Sequence, residues 1–231
     1  MKSTQPFSIS KAIHFGFQTT LDNFLLMLGV MATGGIINVI RFGAIPGIFL
    51  LMSFFLYHAS YPSLPHTILS LGSFKVLLSA LVIFVIFKLI DSVVSLGFTK
   101  ITLLLHDNKP THYSDLFSCA HLALKHFTAS ALYVLIVVCG LMLFIVPGIL
   151  FMVMFGFFSY AIVDKELGPI DALKESYRIT NNSKSLLVSL FIILIALNAL
   201  GGACCGLGLL ITYPMTALAC AYVYRALQAQ Q

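Results

Sequence analysis

Lys88 and Asp91, in the stretch VIFKLIDSVV, are the two residues whose chemistry most needs a reason. They stand three apart inside an otherwise apolar run, and on a helix that spacing brings both side chains to one face, where they can pair. Ionisable groups inside a membrane span are costly, face protein or water, and mark ion paths, proton relays or anchors for a polar substrate group. The competing reading is structural, a mutually neutralised pair with the Lys88 ammonium reaching toward the interface. Asn198, in IILIALNALG, falls at similar depth in a later apolar run and completes a candidate intramembrane polar site. A lone Asn there more commonly ties two helices together by a hydrogen bond.

His106, His112, His121 and His126 gather ahead of another apolar run and raise metal binding or pH sensing as alternatives. Helical zinc sites favour a His pair four apart with a further ligand, as in HExxH, whereas His121 and His126 are five apart. Interfacial histidines fit this spacing better, and no metal site is expected. The chain has no Gly-rich phosphate loop, GxSxG elbow or paired-carboxylate motif, and no Ser or Cys with a His at a recognised nucleophile spacing. Neither enzyme activity nor a cofactor is expected. The five cysteines, at 119, 139, 204, 205 and 220, form no CxxC, and four of them sit in apolar stretches as small hydrophobes.

The elements that must position these groups follow from composition. Of 231 residues 59% are hydrophobic and 9% charged, where soluble domains carry about 25% Asp, Glu, Lys and Arg. The chain therefore reads as an all-α polytopic transmembrane bundle, a single domain over 1–231. At about 20 apolar residues per crossing there is room for six or seven spans and for no ordinary soluble catalytic domain. The excess of 13 Lys and Arg over 8 Asp and Glu includes no basic run of the kind that binds nucleic acid, so no such partner is expected.

Along the chain, SISKAIHFGFQTTLDNF places Lys11, His14, Gln18 and Asp22 on one helical stripe and Ile9, Ile13 and Phe17 on another, which predicts an amphipathic helix in the interface. A first span is predicted over 21–40 and a second over 74–98, with 58–73 a loop containing two prolines. The segment 42–57 is short for a crossing and reads as external or re-entrant; counted as a full crossing it makes seven spans. A second surface helix is predicted in YSDLFSCAHLALKHF, with Ser114 as N-cap and Leu116, Ala120, Leu124 and Phe127 as its apolar stripe. The run 128–163 is broken at Val146-Pro147-Gly148 and reads as two antiparallel spans, a hairpin, or as one sharply bent pair. In the charged loop 164–184, Pro169 opens a helix that pairs Asp171 with Lys174 and Glu175 with Arg178 and turns Leu173, Tyr177 and Thr180 to the membrane. Spans over 186–203 and 207–226 close the chain.

The helix breaks come twice, at Pro46-Gly47 and Pro147-Gly148, and KVLLSALVIF (75–84) aligns with KSLLVSLFII (184–193). Both alignments fit an internal repeat with halves 1–105 and 106–231, as many transporter folds have. The positive-inside bias sets Lys100, Lys109, Lys125, Lys165, Lys174, Arg178, Lys184 and Arg225 on one side when 128–163 and 186–226 are hairpins. The six-span solution then leaves both termini cytoplasmic.

The sequence VPGI, then VDKELGPIDALKESYRIT one span later, then a small-residue pair of spans ending in AYVYRAL, resembles the YciC-like (UPF0259) and DUF975 families of bacterial inner-membrane proteins. More loosely it is similar to the membrane domain attached to some glycerophosphodiester phosphodiesterases. The resemblance covers Gly97 to Leu227 and rests on Val146, Pro147, Gly148, Asp164, Lys165, Gly168, Ala172, Ser176, Arg178 and Thr180. It implies a six-span protein of the bacterial inner membrane with cytoplasmic termini and work in the envelope or its lipids. The phosphodiesterase catalytic module is absent from the chain, so its activity does not carry over. Two functions remain open: a non-enzymatic protein supporting the cell envelope through lipid or protein contacts, and a small-solute or ion transporter using Lys88 and Asp91. Besides the bilayer, the partner expected is a membrane protein or lipid headgroup at the 164–184 loop, unless that loop is only a solvated connector.

Overall fold

The computed structural model describes residues 7–44, 66–203 and 206–230. Every regular element among them is helical: α1 (Ile9–Asp22), α2 (Phe24–Val39), α3 (His66–His106), α4 (Ala123–Leu143), α5 (Ile145–Phe155), α6 (Phe158–Lys165), α7 (Pro169–Thr180), α8 (Lys184–Ala203) and α9 (Leu209–Gln228), with a π-helical turn at Ile40–Ala44 and 3-10 turns at Tyr113–Phe117, Ala120–Leu122 and Asn181–Ser183. They divide into two compact units, Met1–Met31 with Ser92–Gln231, and Ala32–Asp91. Four helical runs are long and apolar enough to cross a membrane: Leu81–His106, Tyr113–Leu143, Ile145–Lys165 and Pro169–Ala203. Counting α1 and α2, which bend by 91° about Asn23, as one broken span makes five.

The predicted hairpin is present, but it turns at Phe144, three residues before Pro147. Phe144 is extended (φ −160°, ψ 152°), and α5 starts at the next residue. Pro147 thus lies in the first turn of α5, where the missing N–H would have no helical partner in any case. Glycine matters on both sides of the turn. A Cβ on Gly140 would sit 3.0 Å from the Gly148 Cα, so the two helices meet backbone to backbone. The other break, Pro46-Gly47, lies outside the described residues.

A further break at Gly156-Phe157 separates α5 from α6, and α7 repairs it. The Phe157 N–H donates to Ser176 Oγ (3.1 Å), while Ser176 Oγ and Thr180 Oγ1 both donate to the Met154 carbonyl (2.8 and 3.1 Å). Backbone groups freed in a helix break at membrane depth need such partners, because lipid offers none. Ala172, Leu173, Ser176, Ile179 and Thr180 are accordingly buried, which overturns the expectation that Leu173 and Thr180 face the membrane; Tyr177 alone of the three is exposed. Of the residues carrying the family resemblance, Ser176 and Thr180 make this clamp, Gly168 is the α7 N-cap, and Lys165 and Arg178 both bond Glu175 (2.6 and 2.8 Å).

α9 packs against α1, α7 and α8. Tyr213, Pro214, Thr216, Tyr222, Tyr224 and Arg225 interrupt its apolar run, and it is not among the runs apolar enough to cross by composition. Protein neighbours on several sides make that polarity tolerable. α1 is amphipathic, but its buried face is Ala12, Gly16 and Thr20, laid along α9, rather than the Ile9–Ile13–Phe17 stripe; Phe17 is exposed. A Cβ on Gly16 would collide with the Met215 carbonyl oxygen, so this small-residue face lets the backbones approach as small-xxx-small motifs do.

Two other expectations change. Residues 66–73 are helical rather than loop, and α3 runs past the predicted end at Phe98 to His106, with Ile101 and Leu103 buried. The predicted surface helix around 113–127 is two 3-10 turns leading into α4, capped by His112 rather than Ser114: the His112 N–H donates to Asp115 Oδ2 at 2.8 Å.

Candidate functional site: two ionic clusters and a groove

The Ala32–Asp91 unit holds the pair that the sequence singles out. Lys88 Nζ lies 3.6 Å from Asp91 Oδ2, as the three-residue spacing requires. A third member, Arg41, comes from the π-helical turn after α2, and its Nη1 bonds the same oxygen at 3.1 Å. Two cations thus meet one carboxylate oxygen. Arg41 is fifty residues from Asp91, and only its isolation at the end of an apolar run signals it. Asn198 belongs to the other unit. Its Nδ2 donates to the Leu194 carbonyl (3.0 Å) and to Thr216 Oγ1 (3.4 Å), tying α8 to α9.

The larger unit contains a second cluster built from three helix ends. Arg225, in the last turn of α9, grips Asp107 with a bidentate fork, Nη2 to Oδ2 at 2.7 Å and Nε to Oδ1 at 3.1 Å. Its Nη1 reaches Asp164 Oδ1 on α6 at 2.7 Å. Gln228 Nε2 donates to Asp164 Oδ2 (3.1 Å) and to the Tyr224 hydroxyl (2.7 Å), which itself donates to Asp164 Oδ2 (3.2 Å). Charge-assisted forks of this kind are the strong class of hydrogen bond. Burial alone raises the Asp107 pKa, but the hydrogen bonds and charges of Arg225 and His106 outweigh it and hold the carboxyl below its ordinary value.

His106 links this network to a groove. Its Nδ1 is 3.2 Å from Asp107 Oδ1, and its ring meets Phe15 of α1 (centroids 5.3 Å apart) and Tyr222 of α9 (5.7 Å). Beside these rings runs an open groove of about 390 Å³ lined by Ser10, Lys11, His14, Phe15, Gln18 and Tyr222. The Lys11–His14–Gln18 stripe is legible in the sequence; Tyr222 opposite it is not, because nothing local places α9 beside α1.

The other histidines do not converge. His126 is buried in α4, stacked on Phe158 (5.4 Å), with Nε2 3.0 Å from Ser159 Oγ, so it fastens α4 to α6 rather than lying in the interface. His121 is 3.9 Å from Glu166 at the surface. Among the described residues no three His, Cys, Asp or Glu groups lie close enough together to hold a metal ion. Cys119 is buried, Cys220 is half-buried and Cys139 is exposed. The chain matches no protein-family model, no curated protein and no solved structure.

Proposed function

We propose that the chain is a non-enzymatic, polytopic protein of the bacterial inner membrane that supports the cell envelope through contacts with lipid or with a protein partner. The observation that carries this reading is the saturation of the Arg225 network: its charged groups bind one another and fasten α3, α6 and α9 together, as in a scaffold. The family resemblance supports the same reading, and the exposed face of α7, with Ile170 and Tyr177, offers the loop 164–184 as a contact surface for a partner or headgroup.

The positive-inside bias supports cytoplasmic termini, and six spans are compatible with the helix-end contacts. Because Asp107, Asp164 and Arg225 touch, the chain crosses an even number of times between each of them; α4 with α5–α6, then α8 with α9, supply those crossings. The Phe15–His106 ring contact likewise sets α1 beside the end of α3.

A second reading, small-solute or ion transport, is favoured by the gathering of three ionisable groups, Arg41, Lys88 and Asp91, in apolar segments. Two experiments separate them. Deleting the chain from its host is expected to alter membrane integrity or lipid composition under envelope stress, and an unchanged profile counts against the scaffold. Proteoliposomes are expected to show no solute or proton flux above empty liposomes; flux abolished by Asp91→Asn would establish transport instead.

A further inference from the structure

We propose that the groove between α1 and α9 binds the phosphodiester of an anionic phospholipid, a proposal that deepens the lipid-contact reading and rests on it. Five of its six lining residues offer hydrogen-bond donors: the Ser10 hydroxyl, the Lys11 ammonium, a His14 ring nitrogen, the Gln18 amide and the Tyr222 hydroxyl. Among the described residues no carboxylate pairs with Lys11 or His14, in contrast to Arg225, whose three guanidinium nitrogens all donate to carboxylates. Lys11 is the one Asp, Glu, Lys or Arg side chain among the lining residues, and Asp107, which touches His106, is itself held by Arg225. Phe15 and Tyr222 form an aromatic wall, their centroids 5.6 Å apart. The volume falls within the roughly 300–1,000 Å³ of small-ligand sites, ample for a phosphoglycerol group.

The apolar neighbours favour a lipid over a free anion. Phe17 and Leu21 lie three residues beyond His14 and Gln18 on α1, hence next to them on the helix surface, and both are exposed. A headgroup held by Lys11 and His14 would lay its acyl chain along them. A soluble phosphate gains nothing from these two side chains, so they provide the means of telling the sources apart.

The test uses the full-length protein in detergent micelles, with bound lipid counted by native mass spectrometry. Wild type is expected to retain phosphatidylglycerol in preference to phosphatidylcholine. Lys11→Gln and His14→Gln are each expected to weaken retention about tenfold, the scale of one lost charged hydrogen bond. Phe17→Ser should weaken it less, and Lys109→Gln, outside the groove, should leave it unchanged. Both Lys11 and His14 are exposed, and melting profiles matching wild type verify that the variants are folded. Equal retention of the two lipids by wild type overturns the proposal, as does unchanged retention in both groove variants. Displacement of the lipid by an equal concentration of inorganic phosphate reassigns the groove to a free anion and overturns the lipid. Such failures leave the scaffold reading standing if deletion still disturbs the envelope, whereas an undisturbed envelope with intact lipid binding removes the scaffold and keeps the site.

Discussion

The two ionic clusters share their parts and differ in how they are assembled. Around Asp91, one carboxylate meets two cations, and one of those contacts is the local Lys88 pair. Around Arg225, one cation meets two carboxylates at separations of 118 and 61 residues, and Tyr224 and Gln228 complete the shell. The exposures differ in step: the Lys88 and Asp91 side chains are 39% and 38% exposed, against 22% and 17% for Asp107 and Asp164. A local pair forms wherever its helix forms and contributes little to tertiary structure. The long-range network exists only when three helix ends have met, so its energy reports on the fold.

The sharpest way to break that contrast is to remove the hub. Arg225→Leu leaves two half-buried carboxylates facing each other without a cation and is expected to cost about 3 kcal/mol, the lower end for breaking a buried pair. Unfolding of the detergent-solubilised protein measures it. Arg225→Lys is expected to recover under half of the loss, because an ammonium cannot reproduce the bidentate fork. A loss under about 1 kcal/mol, within the range of exposed surface pairs, would place this network in the same class as the Lys88 pair.

Acid provides the next largest effect. The Asp107 pKa is lowered in the folded chain, so its contribution is complete above the ordinary value of 3.8 and is lost as pH falls through the folded value beneath it. Wild type is therefore expected to lose stability in that acid range more steeply than Asp107→Asn, measured by melting temperature against pH. Parallel curves would show that the fork does not hold the carboxylate in its charged form.

How much of this was legible in the sequence follows from the range of each interaction. The membrane class, the helical bundle, a hairpin near Pro147 and the Lys88–Asp91 pair depend on composition or on spacings under one turn, which a sequence displays directly. The break at Gly156-Phe157 was not legible, because the apolar run 149–163 continues through it and the groups that repair it, Ser176 and Thr180, lie some twenty residues on. The A-x-x-x-G-x-x-x-T face of α1 was written in the sequence as Ala12, Gly16 and Thr20, but the larger apolar residues beside it drew the prediction toward the interface. Asp107 and Arg225 were visible as charges at the ends of apolar runs; their pairing was not.

The α7 clamp offers an intermediate case, local to one helix on its donor side and distant on its acceptor side. Ser176→Ala removes the acceptor of the Phe157 N–H and one donor to the Met154 carbonyl. Thr180 still serves that carbonyl, so the cost is expected to be about 1–2 kcal/mol, the desolvation penalty of one buried N–H. Thermal unfolding checks it, and no measurable change would mean that the break at Gly156 finds other partners.

The smallest effect tests the opening contrast from the other side. Lys88→Gln is expected to cost about 0.5 kcal/mol or less, since the pair is more than a third exposed and Arg41 remains on the same carboxylate oxygen. A double-mutant cycle with Asp91→Asn isolates the pair from each residue's other contacts. A coupling above about 2 kcal/mol is the signature of a desolvated charge pair, and it would make the local cluster the equal of the Arg225 network. Weak coupling has a functional corollary. A residue three positions from its partner that adds almost nothing to stability, yet carries a charge in an apolar segment, is free to serve transport. Flux measurements on Lys88→Gln then decide whether that freedom is used.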